Sequence, residues 1–239
     1  MMNVGFEIIR PTPDYPQTVS RAQLNGLTWD SQRDVVLKFK SDLKIKLREV
    51  QCGRCCFCRR QLFDDYATHL EHFVEKSLYT MFSFEIRNLA LSCGTCNGQK
   101  NGYVSKLNRK RKDRHAKSNT LFAPRCPVLS SEILNGADYP ARADDFRWVH
   151  PHFDMFSTHI ELSRGWIFRG KTRKGMRTID GVKLNEIGKI EKRALNERLQ
   201  TRGGRLSMLV GAISELEYHR AKEVAAAIVK VIKRRKSIA

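Results

Sequence analysis

The sequence predicts an α+β protein in which a short strand, strand, helix unit is pinned by cysteine knuckles and embedded in a mainly helical chain. Three observations carry this prediction. Cys55 with Cys58 and Cys93 with Cys96 form two C-x-x-C pairs on either side of one segment. Within that segment the run from Tyr66 to Phe73 alternates as a short strand does, and the apolar run NLALS, from Asn88, leads directly into the second pair. Outside it, apolar residues recur at helical spacing from Val36 to Val50 and again from Leu184 to Val231.

The chain divides into three parts. Residues 1–50 read as an arm and an amphipathic helix. Pro11, Pro13 and Pro16 keep the arm extended, a short helix is expected near Ser20 to Leu27, and Phe6, Ile8, Ile9 and Trp29 pack the arm on the body. Ser31 followed by Asp34 resembles an N-cap pair, after which Val36, Phe39, Leu43, Leu47 and Val50 form a stripe to be buried. Residues 51–120 hold the cysteine pairs, and a helix from Gly94 onward places Asn97, Lys100 and Asn101 on one face. Residues 121–239 begin irregularly, punctuated by Pro124, Pro127, Pro140 and Pro151, then pass through a hairpin around Ser163 to Gly165 and end in helices.

At 239 residues there is enough chain for a substantial core. Seven cysteines, an odd number clustered around one pattern, argue for thiolate metal ligands in a reducing compartment and against a disulfide framework. No run is apolar for long enough to span a bilayer, and MMNVGFEIIRPTP lacks the regions of a signal peptide, so a cytoplasmic protein is expected. The net charge of +19 biases encounters toward polyanions, nucleic acid first among them.

Four thiolates suit a tetrahedral zinc that folds a segment too short to bury a core of its own. Cys52, Cys55, Cys56 and Cys58 contain two overlapping pairs, Cys52 with Cys55 and Cys55 with Cys58, and spacing alone leaves both open. Between the knuckles stand Glu71, His72 and Asn88, and Asn97 follows Cys96. An oxygen ligand, a histidine and a second oxygen ligand are what metal-assisted phosphodiester hydrolysis requires. Neighbours on a strand point to opposite faces, so Glu71 and His72 serve one site only where the strand ends or bends. His69 is a rival ligand. His150, His152 and His159, with Asp154, match no compact ligand spacing and read as satisfied structural histidines.

This set of residues resembles the HNH endonuclease family, whose pattern is an acid-His or His-His dyad, a central Asn and a final His or Asn, often within CxxC…CxxCNxxK. Cys55, Cys58, Glu71, His72, Asn88, Cys93, Cys96, Asn97 and Lys100 carry the resemblance. It implies a ββα-metal core and favours Cys55 with Cys58, leaving Cys52 and Cys56 as spare thiols. It also implies structural zinc on the four cysteines and a magnesium or manganese ion on Glu71 and the Asn97 oxygen. His72 then takes the proton of the attacking water, and Asn88 positions the loop around it. Lys100, and Lys110, Arg111 and Lys112 within the basic run from Lys106 to Lys117, are expected to contact phosphate.

HLEHFVEKS, WVHPHFD and GMRTIDGVKLN extend the resemblance to the small HNH proteins of bacterial Septu and retron-associated anti-phage systems, the PtuB-like group. That group implies a separate ATPase partner and a nucleic-acid substrate, DNA ahead of RNA. Two departures stand out: Glu71 replaces the usual Asp of the dyad, and Glu75 stands where HxxP has its proline. A reading from another class is a zinc-knuckle module that binds nucleic acid without cutting it, or a scaffold subunit.

Overall fold

A computed structural model of the chain describes residues 5–63, 68–115, 125–163 and 167–188, with scattered helical positions between 220 and 230. One short helix and two long ones precede or carry the knuckles: α1 (Arg21–Leu24), α2 (Asp34–Val50) and α3 (Gly94–His115). Ser20 caps α1, accepting from the Gln23 amide while the Gln23 side chain accepts from the Ser20 amide. The apolar stripe of α2 is buried as its period predicts, with Val36, Phe39, Leu43 and Leu47 fully enclosed. The cap of α2 is a correction. Arg33 occupies the N-cap position without a side-chain hydrogen bond, and the Ser31 hydroxyl accepts from the Arg33 amide in the turn before it.

The chain then builds a hairpin and a helix. β1 (Thr68–His72) pairs antiparallel with β2 (Leu89–Cys93), Thr68 opposite Cys93 and His72 opposite Leu89. Every residue of β2 is buried, which explains why apolar side chains occupy both of its faces. The first knuckle is stitched to this strand by Gln51, whose amide donates to the Leu91 carbonyl (3.0 Å) and accepts from the Leu91 amide (2.7 Å). Cys56 donates its backbone N–H to the same carbonyl at 2.8 Å. α3 follows β2 without a break, so Cys93 ends the strand and Cys96 lies in the first helical turn.

The described part of residues 125–188 shares the same core. β3 (Ile160–Ser163) and β4 (Ile167–Gly170) form the expected hairpin, preceded by α4 (Phe156–His159) and followed by α5 (Arg173–Val182). Backbone hydrogen bonds from Ile9 to Pro151 (2.8 Å) and from Phe156 to Glu7 (3.0 Å) tie this region to the N-terminal arm. Helix α5 lies before Leu184, where the helical spacing read from the sequence begins. Its Gly175 and Gly181 look like helix breakers, but they admit close neighbours: a Cβ at Gly175 would strike the His159 carbonyl, and one at Gly181 the Trp148 ring. The helices expected from Ala194 to Val231 fall largely outside the described residues.

Candidate functional site

Cys55, Cys58, Cys93 and Cys96 are all buried, with their sulfurs within 4.8 Å of one another. The Cys58 and Cys93 sulfurs are 3.9 Å apart. A tetrahedral zinc with bonds of about 2.3 Å needs sulfurs roughly 3.8 Å apart, so the set fits that ion with little adjustment. Burial pushes the Cys55 thiol well above its usual range, as expected of thiolates that need a cation beside them. Cys52 is exposed at φ 51° and stands outside the cluster, which settles the choice between the overlapping pairs. Sequence reading passed over Arg59, which is buried with its guanidinium 3.7 Å from the Phe6 ring and 4.2 Å from that of Phe156. Burial lowers its pKa to about 10, while the nearby cysteine thiols pull the other way. A cation there offsets the negative charge of a tetrathiolate.

The dyad occupies the end of β1, and its two side chains meet different neighbours. The imidazole of His72 donates from Nε2 to the Ser83 carbonyl at 3.0 Å, since a carbonyl can only accept. A neutral His72 therefore has Nδ1 as its basic nitrogen. The Trp29 ring stands edge-on 4.3 Å away. Burial drives the His72 pKa down to about 3, so the ring is neutral at physiological pH.

Glu71 is 1% exposed and faces Lys100, whose ammonium lies 2.5 Å from Oε1. Its other oxygen, Oε2, receives no hydrogen bond from the described residues. Burial raises its pKa to about 7, against the pull of the Lys100 charge. Lys100 is a correction to the expected phosphate contact. It is fully buried, and besides Glu71 its Nζ reaches the His72 carbonyl (2.6 Å) and Glu75 (2.9 Å). Glu75, where the family pattern has proline, thus supplies a second carboxylate to the same ammonium.

Asn88 is fully buried. Its Oδ1 accepts from the Val74 amide at 2.7 Å, and its Nδ2 donates to the carbonyls of Val74 (3.1 Å) and Phe82 (3.0 Å). It ties together the segment joining β1 to β2. Asn97, half-buried on the first turn of α3, accepts from Asn101 at 3.3 Å, and no hydrogen bond joins it to Glu71 or His72 among the described residues. The His69 ring lies against Gly94, where an added Cβ would stand 3.1 Å from its Nε2. Lys106, Arg109 and Lys110 are exposed on α3, whereas the side chains of Arg111 and Lys112 lie outside the described residues. Three further histidines are engaged: His150 with Tyr139, His152 with the Leu89 carbonyl, and His159 with Asp154 and Thr172.

For a divalent ion, Glu71 Oε2 is the hard oxygen available, with no hydrogen bond from the described residues, while Oε1 is paired with the Lys100 ammonium.

Comparison with known proteins yields one relative. The Septu protein PtuB of Bacillus thuringiensis is 24% identical over 152 residues, covering 63% of this chain and 44% of that protein. This chain thus spans less than half the length of that relative, and the similarity supports a distant Septu-type relationship. No family model and no solved structure matches. No helix among the described residues is long and apolar enough to cross a membrane.

Proposed function

We propose that the chain is an HNH-type endonuclease that hydrolyses nucleic-acid phosphodiester bonds, DNA ahead of RNA, as the nuclease component of an anti-phage complex with an ATPase partner. One observation supports it above the others: His72 is held neutral at the end of β1, with Nε2 engaged by the Ser83 carbonyl, and it follows Glu71 directly in sequence. A ring so fixed has one nitrogen, Nδ1, free to take a proton from water. The four cysteines hold a structural zinc that keeps the two knuckles, and hence β2 and α3, in register. Magnesium or manganese on Glu71 and the Asn97 oxygen supplies charge to the phosphate when bound. Asn88 keeps the loop carrying Ser83 in place, and the exposed cations of α3 attract the nucleic-acid backbone without reading its sequence. The distant likeness to PtuB supports the defence setting.

A metal titration of cleavage separates the roles. Glu71→Ala should need more magnesium and recover part of its rate as the metal is raised, whereas His72→Ala should not recover at any concentration. Identical titration curves would mean that the ligand and base are wrongly assigned.

A further inference from the structure

We propose that Tyr139 and His150 are positioning residues for His72, acting through the amide of Asn88. The inference rests on His72 being the base of the proposed nuclease. Neither residue belongs to the knuckle segment.

The hydrogen-bond directions follow from one end of the chain of contacts. The His152 backbone N–H donates to His150 Nδ1 at 3.1 Å, so a neutral His150 carries its proton on Nε2. That proton goes to the Tyr139 hydroxyl oxygen, 2.9 Å away. The hydroxyl then has one hydrogen left to give, and it donates to Asn88 Oδ1 at 3.2 Å. Burial holds His150 well below its usual pKa and so keeps it neutral. The rings of Phe73, Phe146 and Phe153 close around it at 4.3 to 4.4 Å between centroids.

At the other end, the Asn88 amide has no freedom to flip. Its oxygen faces two donors, the Val74 amide and the Tyr139 hydroxyl, and its nitrogen faces two carbonyls, those of Val74 and Phe82. Phe82 immediately precedes Ser83, whose carbonyl holds His72 Nε2. The line therefore runs from His150 through Tyr139 and Asn88 to the peptide that sets the tautomer of His72. A Tyr139 that merely filled the core could be replaced by Phe without consequence for His72, because Phe keeps the ring contacts with Phe82 and Phe146.

The test is Tyr139→Phe in the zinc-loaded full chain, read by nitrogen NMR of the His72 ring, hydrogen exchange of the Val74 amide, and steady-state cleavage of DNA with magnesium. The expected result is a mixed His72 tautomer, at least about tenfold faster Val74 exchange, and a kcat lowered about ten- to a hundredfold with KM unchanged. His150→Gln, which keeps a side-chain N–H to donate to Tyr139, should retain more of the wild-type behaviour than His150→Phe. A wild-type tautomer and wild-type Val74 exchange in Tyr139→Phe would overturn the proposal. If the wild-type chain cuts nothing, the nuclease reading fails, and the two NMR readouts still decide whether the relay exists.

Discussion

Glu71 and Lys100 are shut away from water together, and such a pair matters chiefly for what happens when one member is lost. Removing the ammonium in Lys100→Met leaves a buried carboxylate without its partner, and a loss of about 3 kcal/mol is expected in urea denaturation. Adding Glu71→Gln should restore most of that loss, because it removes the stranded charge. If the double variant is as unstable as the sum of the single ones, the two groups do not act as a pair. The sequence marked both residues, but it could not show that they meet. Lys100 was legible only as a cation of the CxxCNxxK pattern, since burial of its head group depends on β1 and α3 packing face to face.

The buried histidines set a pH dependence at the same scale. Unfolded histidine titrates near 6.5, whereas burial lowers His72 to about 3, His152 to about 4 and His150 well below its usual range. Between about pH 6.5 and 4 the unfolded chain binds protons that the folded chain refuses, so stability falls as the pH falls. Glu71 acts in the opposite sense. Its folded pKa, about 7, lies above the unfolded value, so the folded chain binds one proton more between about pH 4.5 and 7. The net of roughly two protons predicts a loss of about 2–3 kcal/mol per pH unit near pH 5.5. Urea midpoints at pH 7 and 5.5 with zinc retained would measure it, and a flat profile would mean that the rings are charged in the fold.

Among the elements, α5 is the longest that pattern reading missed, and the reason is physical. Its glycines lower helix propensity, but each removes a side chain where another group must fit, the Trp148 ring at Gly181 and the His159 backbone at Gly175. Gly181→Ala should therefore destabilise the protein by about 1–3 kcal/mol through overpacking, despite the better helix propensity of alanine. A thermal midpoint equal to or above that of the wild type would show that Trp148 gives way. β1, β2 and α3, by contrast, were legible from alternation, from an apolar run and from the spacing of Asn97, Lys100 and Asn101 after Gly94. α2 was legible from its period, but its cap was not, because Ser31 satisfies a turn before the helix begins.

For the molecule as a whole, the charge, the cysteine pairs and the dyad suggested a nucleic-acid enzyme, while the way the two halves close on each other could not be read from spacing. The WVHPHFD segment shows no ligand pattern because its histidines serve contacts with residues distant in sequence: His150 reaches Asn88 through Tyr139, and His152 reaches the Leu89 carbonyl. These contacts place the second half of the described chain directly behind the dyad. Magnesium-dependent cleavage of DNA and RNA by zinc-loaded wild type and His72→Ala, each with and without the proposed ATPase partner, tests the central claim most directly. Wild type should cut, and His72→Ala should bind nucleic acid and zinc equally well while cutting about a hundredfold more slowly or worse. Equal cutting by both proteins, or binding by both with no cutting under any condition, would contradict the account and leave a zinc-knuckle binding module as the better reading.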